Sequence, residues 1–177
     1  VVRMTALPAS SIRSAFGLTE GYVIEGPATG EVHLYGAYRR LFGFGQFSLD
    51  HPVAYGEPFD SASADLRFEG TGVRLNGLEI RKGDGGATGA AFIEWDASYS
   101  FNLDARNIGV ETLAFLPSLP QSPSGTLEGT ASGAGLFDDP RYVVRGRISD
   151  LYIGDEEVGH VTGRIDVGTG DLRLDLE

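Results

Sequence analysis

Cysteine is absent from the chain, so it has neither a disulfide framework nor thiolate chemistry. Basic residues are scarce: 14 Lys and Arg stand against 25 Asp and Glu, a net charge of −11. Phosphate backbones repel such a chain, which argues against a nucleic-acid partner, and anionic bilayer surfaces repel it too. No apolar run approaches the ~20 residues a membrane-spanning helix needs, and no charged-then-apolar leader opens the sequence. The chain starts at Val1-Val2-Arg3 and stops at Leu174-Asp175-Leu176-Glu177 inside a strand pattern. Both ends are expected to be fragment boundaries, with any signal or anchor outside them.

Enzyme signatures are also missing. The three histidines, His33, His51 and His160, stand far apart, so no metal-ligand spacing exists. No G-x-S-x-G elbow is present. The glycine-rich stretch 83–89 (GDGGATG) lacks the Lys-Ser/Thr and following helix of a phosphate loop, and reads as a turn. Asp138-Asp139 and Asp155-Glu156-Glu157 are carboxylate pairs on paper, but both sit beside Pro or Gly and read as solvated turns. Asp84 with Asp155 and Glu156 lacks calcium-loop spacing. The expectation is a non-enzymatic chain with no catalytic residue, metal or cofactor.

Glycine is plentiful: 26 Gly and 8 Pro, roughly twice the usual Gly share. Many turns with few helix formers predict short strands. The first 19 residues carry little signal beyond a helical turn within 10–16. From Glu20 the strand pattern dominates. Phe47, Leu49, Val53 and Tyr55 share one parity, with Pro52 marking an edge or bulge. Leu66 and Phe68 alternate with Asp65, Arg67 and Glu69. Val161, Ile165 and Val167 alternate with Thr162, Arg164 and Asp166, and Leu172, Leu174 and Leu176 with Asp171, Arg173 and Asp175.

The alternation slips phase at Asn76-Gly77, Arg106-Asn107 and Ser149-Asp150. Side chains alternate faces with period two, so one extra residue would send every later side chain to the wrong face. A β-bulge absorbs that residue, and Gly or Asn tolerates the positive φ it needs. Bulges are therefore predicted at those three points. The segment 110–116 (VETLAFL) reads as a short helix, stopped by Pro117 and Pro120.

An internal repeat is visible at an offset of 73. LNGLEI at 75–80 matches ISDLYI at 148–153, and Tyr99, Phe101 and Leu103 fall on Leu172, Leu174 and Leu176. Such self-similarity marks stacked arrays, in which each unit needs its neighbours to bury its apolar face. The expected organisation is a leading segment 1–19 and a repetitive β region 20–177, with repeat units near 60–116 and 126–177.

The stretch SGTLEGTASGAGLFDDP, followed by RISDLYIGDEEVGHVTGRI, resembles the TamB/AsmA-like family in its repetitive periplasmic region. DSASADLRFEGTGVRLNGLEIRKGDGGATGAAFIEWDASYSFNLDARNI is similar to a preceding module of that family. The resemblance covers about 58–177, weakens over 20–57 and is absent before. It implies an all-β fold, a curved β-taco or groove of repeated antiparallel or mixed strands with one short helix. It also implies a parent protein anchored in the inner membrane of a diderm bacterium and extending through the periplasm. The implied partners are phospholipid acyl chains in the groove and, through other parts of the parent, a TamA-like outer-membrane barrel.

The apolar parity names the residues expected to line such a groove. They are Leu66, Phe68, Val73, Leu75, Leu78, Ile80, Ile93, Phe101, Leu103, Ile148, Leu151, Ile153, Ile165, Leu172 and Leu174. A closed sandwich would show the same alternation. The alternative function is chaperone-like assembly or insertion of outer-membrane or autotransporter proteins with an outer-membrane barrel partner, by β-augmentation at an exposed sheet edge.

Overall fold

The structure is a computed structural model, described here for residues 1–11, 24–37, 40–114, 121–168 and 171–176. Most of the helical turn expected within 10–16 lies outside the described residues.

Among the described residues, fourteen strands follow one another. They are β1 (Val2–Pro8), β2 (Ile24–Glu25), β3 (Pro27–Ala37), β4 (Arg40–Asp50), β5 (Val53–Ala54), β6 (Glu57–Pro58) and β7 (Ser61–Gly70). Then come β8 (Gly72–Lys82), β9 (Gly85–Glu94), β10 (Ser98–Gly109), β11 (Pro123–Leu136), β12 (Tyr142–Ile153), β13 (Glu156–Gly168) and β14 (Asp171–Leu176). Eleven form one antiparallel sheet in the order β1-β3-β4-β7-β8-β9-β10-β11-β12-β13-β14. β2, β5 and β6 form a second, three-stranded sheet. The large sheet curves without closing: β1 pairs only with β3, and β14 only with β13. The all-β groove architecture expected from the sequence is what the chain adopts.

Each strand pairs with the next because tight turns return the chain at once. Lys82 faces Gly85 across the two-residue turn Gly83-Asp84, with Gly83 at φ 58. The turn expected over 83–89 is confined to this pair, and residues 85–89 belong to β9. Ile153 faces Glu156 across Gly154-Asp155, with Gly154 at φ 62. Positive φ at the first turn residue matches the twist of the flanking strands.

The three predicted bulges are present. Two residues, 76 and 77, oppose one on β9 between Leu75 and Leu78. Residues 106 and 107 do the same against β11, and 149 and 150 against β13. In each, the second residue is left-handed: Gly77 at φ 55, Asn107 at φ 53, Asp150 at φ 51. A fourth bulge, unannounced by the sequence, lies between Met4 and Leu7 of β1, with Ala6 at φ 49. These four lie on strands that run in the same direction through the sheet, and a fifth irregularity, at Val158 of β13, lies on a strand of the opposite direction. Each bends its strand and adds right-handed twist, so their effects accumulate as curvature. The offset of 73 carries β8, β9 and β10 onto β12, β13 and β14, four places along the sheet.

Two expectations need correction. The helix over 110–116 is a single 3-10 turn, Val110–Thr112, and Leu113 is already extended (φ −82, ψ 110). Residues 115 and 116 lie outside the described residues. The alternation from Phe47 to Tyr55 is not one strand either: β4 ends at Asp50, His51 turns at φ 43, and Val53 belongs to the small sheet.

Candidate functional site

Period-two alternation gives each strand one apolar face, and the register joins these faces into rows. One row runs across the whole sheet through successive partners: Val2, Val32, Gly45, Leu66, Leu75, Ala91, Phe101, Gly133, Tyr142, Val167 and Leu172. A second runs Leu7, Ala28, Leu49, Ala62, Ile80, Ala87, Ala105, Gly129, Gly146, Gly163 and Leu176. Neither row contains a charged side chain. Between them, Leu78, Gly89, Leu103, Ala131, Val144, Ile165 and Leu174 continue from β8 to β14.

All the residues expected to line a groove fall on this one face. Leu66, Leu75, Phe101 and Leu172 are in the first row, and Ile80 is in the second. Leu78, Leu103, Ile165 and Leu174 are in the intervening row. Phe68, Val73 and Ile93 form a further row with Tyr99. Ile148 pairs with Leu127 and Val161, Leu151 with Gly159, and Ile153 with Pro123 and Glu156. The bulges make this possible, because without them the distal half of each bulged strand would point the other way.

Sequence reasoning missed the small members of the rows. Gly129, Gly133 and Gly135 carry no apolar signal, yet they alternate with exposed Thr130 and Ser132. Gly89 shows why a row includes glycine: a Cβ there would sit 2.0 Å from the Asn102 carbonyl oxygen. The contribution of β1, β3 and β4, including Val32 and Phe47, was also missed.

The opposite face is polar. Arg74 bonds Glu69 through both Nε (3.1 Å) and Nη2 (3.0 Å), and Arg164 bonds Asp166 at 2.7 and 2.8 Å. These guanidinium bonds hold the Glu69 and Asp166 carboxyls below the usual carboxylate range. Glu31 is held low by Arg3, with His33 adding to it. Phe42 and Phe44 also lie on this face, stacked on Tyr35 and His33, and Phe92 lies under Arg74.

Little covers the apolar face. Among the described residues, few apolar side chains are buried: Ala28, Val32, Ala64, Phe68, Ile108 and Val110, in the first seven strands of the sheet or the turn after β10, and Pro52 before β5. In β14, Leu174 is 51% exposed and Leu176 63%. Among the described residues, the covering layer is the small sheet, which the sequence did not announce. Its Glu57 Oε1 lies 2.6 Å from Lys82 Nζ, and Lys82 shares the parity of Leu78 and Ile80 on the apolar face. Lys82 Nζ also donates to the Pro58 carbonyl (2.5 Å) and lies 5.2 Å from the Phe59 ring centre. Both charges are buried, with side chains 6% and 12% exposed. The Ala114 amide donates to the same Glu57 carboxylate (3.1 Å), and the Gly83 amide to Asp60 (2.6 Å).

The carboxylates singled out in the sequence do not come together. Asp84 and Asp155 sit at the tips of different hairpins, four strands apart, and Asp139 bonds Arg141 at 3.1 Å. No cluster of three or more His, Asp or Glu with metal-binding geometry occurs among the described residues. No helix among them is long and apolar enough to cross a membrane. What remains is a curved sheet with one continuous, mostly uncovered apolar face, chemically suited to apolar chains. Compared with known proteins, the chain matches no family model, no curated protein and no solved structure.

Proposed function

We propose that the chain is a segment of a TamB/AsmA-like periplasmic protein, anchored in the inner membrane of a diderm bacterium, whose trough carries phospholipid between the two membranes. The observation that carries this reading is the pair of uncharged rows that cross all eleven strands. The mechanism is passive. Acyl chains lie against the rows, each buried CH₂ contributing about 0.8 kcal/mol, while head groups stay in water at the open side. No enzymatic step is involved, and a TamA-like outer-membrane barrel is met by other parts of the parent.

The test is loading from vesicles. The chain is incubated with phosphatidylethanolamine/phosphatidylglycerol vesicles carrying a fluorescent acyl label, then separated by gel filtration. Label elutes with the wild-type chain, and Leu151→Arg or Ile165→Asp abolishes it, because an unpaired charge against an acyl chain is costly. Equal loading by wild type and both variants would sink the proposal. The second reading, β-augmentation of unfolded outer-membrane proteins, draws on the one-sided pairing of β1 and β14. It predicts the reverse pattern: Arg173→Pro in β14 impairs client binding, whereas Ile165→Asp leaves it intact.

A further inference from the structure

The three longest connections of the large sheet are those between β1 and β3, β4 and β7, and β10 and β11. Antiparallel alternation brings all three to the same rim, where β8 ends at Lys82 and β10 at Gly109. They are tied together there. β2, from the first, pairs with β5, from the second: Ile24 faces Ala54 and Glu25 faces Val53. The Ala114 amide, from the third, donates to Glu57 of the second. Segments far apart in sequence thus share one small body.

That body reaches across the apolar face. Its root is Lys82 with Glu57 and Phe59. Its tip is the turn Tyr55-Gly56, at φ 52 and φ 81, with Tyr55 65% exposed. Burial, and after it the Tyr99 and Tyr142 phenols, raise the Tyr55 phenol above its ordinary range. Both begin their strands at the far rim, on the apolar face. The tip therefore points from the Lys82 rim toward the far one.

The root carries charge on a face whose two long rows carry none. An apolar contact tolerates sliding, whereas a buried ion pair is satisfied in one geometry and is often no more stabilising than apolar packing. When such a pair separates toward solvent, water replaces each partner, so opening is not prohibitive. That combination suits a latch.

We propose that the β2–β5–β6 sheet is a strap over the trough, latched by Lys82 on Glu57, which opens as a unit to admit apolar chains. The ligand class rests on the proposed lipid-carrying function; the opening does not.

The sequence supplies a direct probe, because Lys82 is its one lysine. The intact chain is treated with a water-soluble acetylating reagent across a series of low urea concentrations. Acetylation at Lys82 is read by peptide mass spectrometry against the N-terminal amine. The strap predicts that Lys82 labels while the large sheet stays folded by circular dichroism, at a rate with little dependence on urea. Glu57→Gln should raise that rate at least tenfold with little change in the unfolding midpoint. Labelling that rises with urea as steeply as global unfolding, or that ignores Glu57→Gln, overturns the proposal. A second experiment joins Tyr55→Cys to Tyr142→Cys with a cleavable bifunctional maleimide. The joined chain should take up a fluorescent fatty acid at least tenfold more slowly until the linker is cleaved; unchanged uptake overturns gating. Should the unmodified chain take up no probe at all, the lipid reading falls, and the Lys82 rates still decide the strap.

Discussion

Replacing Ile165 by aspartate tests the trough at its most informative point. Ile165 lies between Val144 of β12 and Leu174 of β14 on the apolar face. Neighbouring strands are ~4.8 Å apart, so an extended acyl chain crossing them lays about four CH₂ groups over each strand. At ~0.8 kcal/mol per CH₂, the contact over β13 contributes about 3 kcal/mol. A carboxylate there keeps its hydration shell and excludes that stretch of chain, which corresponds to about a 100-fold loss of affinity. The side chain is only partly covered in the free protein, so the aspartate can reach water and the sheet should keep most of its stability. Thr162→Asp, on the polar face of the same strand opposite Arg147, is the matched control. Titration with a fluorescent fatty acid should show the loss for Ile165→Asp and none for Thr162→Asp. Equal affinities in two folded variants would refute the assignment of the apolar face as the binding surface.

Other outcomes follow from the same geometry. Asn107 stands at φ 53, so Asn107→Val should cost ~1–2 kcal/mol in denaturant unfolding while Asn107→Gly costs little; equal costs would contradict the bulge. Gly89→Val forces a Cβ toward the Asn102 carbonyl and should lower stability by ~1–3 kcal/mol or more, read as a shifted urea midpoint. Lys82→Met strands the Glu57 carboxylate, which the strap returns to water by opening, so the urea midpoint should move little, as with Glu57→Gln; a fall of ~3 kcal/mol or more would contradict independent opening. Glu31, Glu69 and Asp166 have carboxyls lowered by their cationic partners, so their contribution is present above the unfolded range near ~4 and lost as pH falls toward the folded values. The urea midpoint should therefore drop as pH falls from about 5 to 3, and Arg74→Met should flatten part of that drop.

Much of the large sheet could be read from the sequence because period-two patterning has one physical consequence, a shared face. The phase slips at Asn76-Gly77, Arg106-Asn107 and Ser149-Asp150 were legible for the same reason. Each is followed by apolar residues on the opposite count, and two of the three place Gly or Asn at the left-handed position. The bulge at Ala6 was not legible, since alanine gives no hint of positive φ and the first strand is short. The strap was hidden by its own sequence. Val53 and Tyr55 continue the parity of Phe47 and Leu49, so the stretch reads as more of the same strand. Only the pairing of Ile24 with Ala54, 30 residues away, reveals the second sheet. The burial of Lys82 was not legible, since a charged residue beside the Gly83-Asp84 turn gives no sign of a partner; its burial depends on Glu57, which local sequence cannot supply. The segment VETLAFL has helical spacing, but Leu113 is drawn into extended backbone and Ala114 bonds Glu57 instead of continuing the turn.

The central claim is that the uncharged rows hold acyl chains. Its most direct test is to purify the chain from a diderm bacterial periplasm without detergent, extract it with organic solvent and quantify phospholipid by mass spectrometry. Ile165→Asp is prepared in parallel. The account predicts phospholipid in near-stoichiometric amount with the wild-type chain and a large loss with the variant. No phospholipid above background with the wild type, or equal amounts with both, would contradict it.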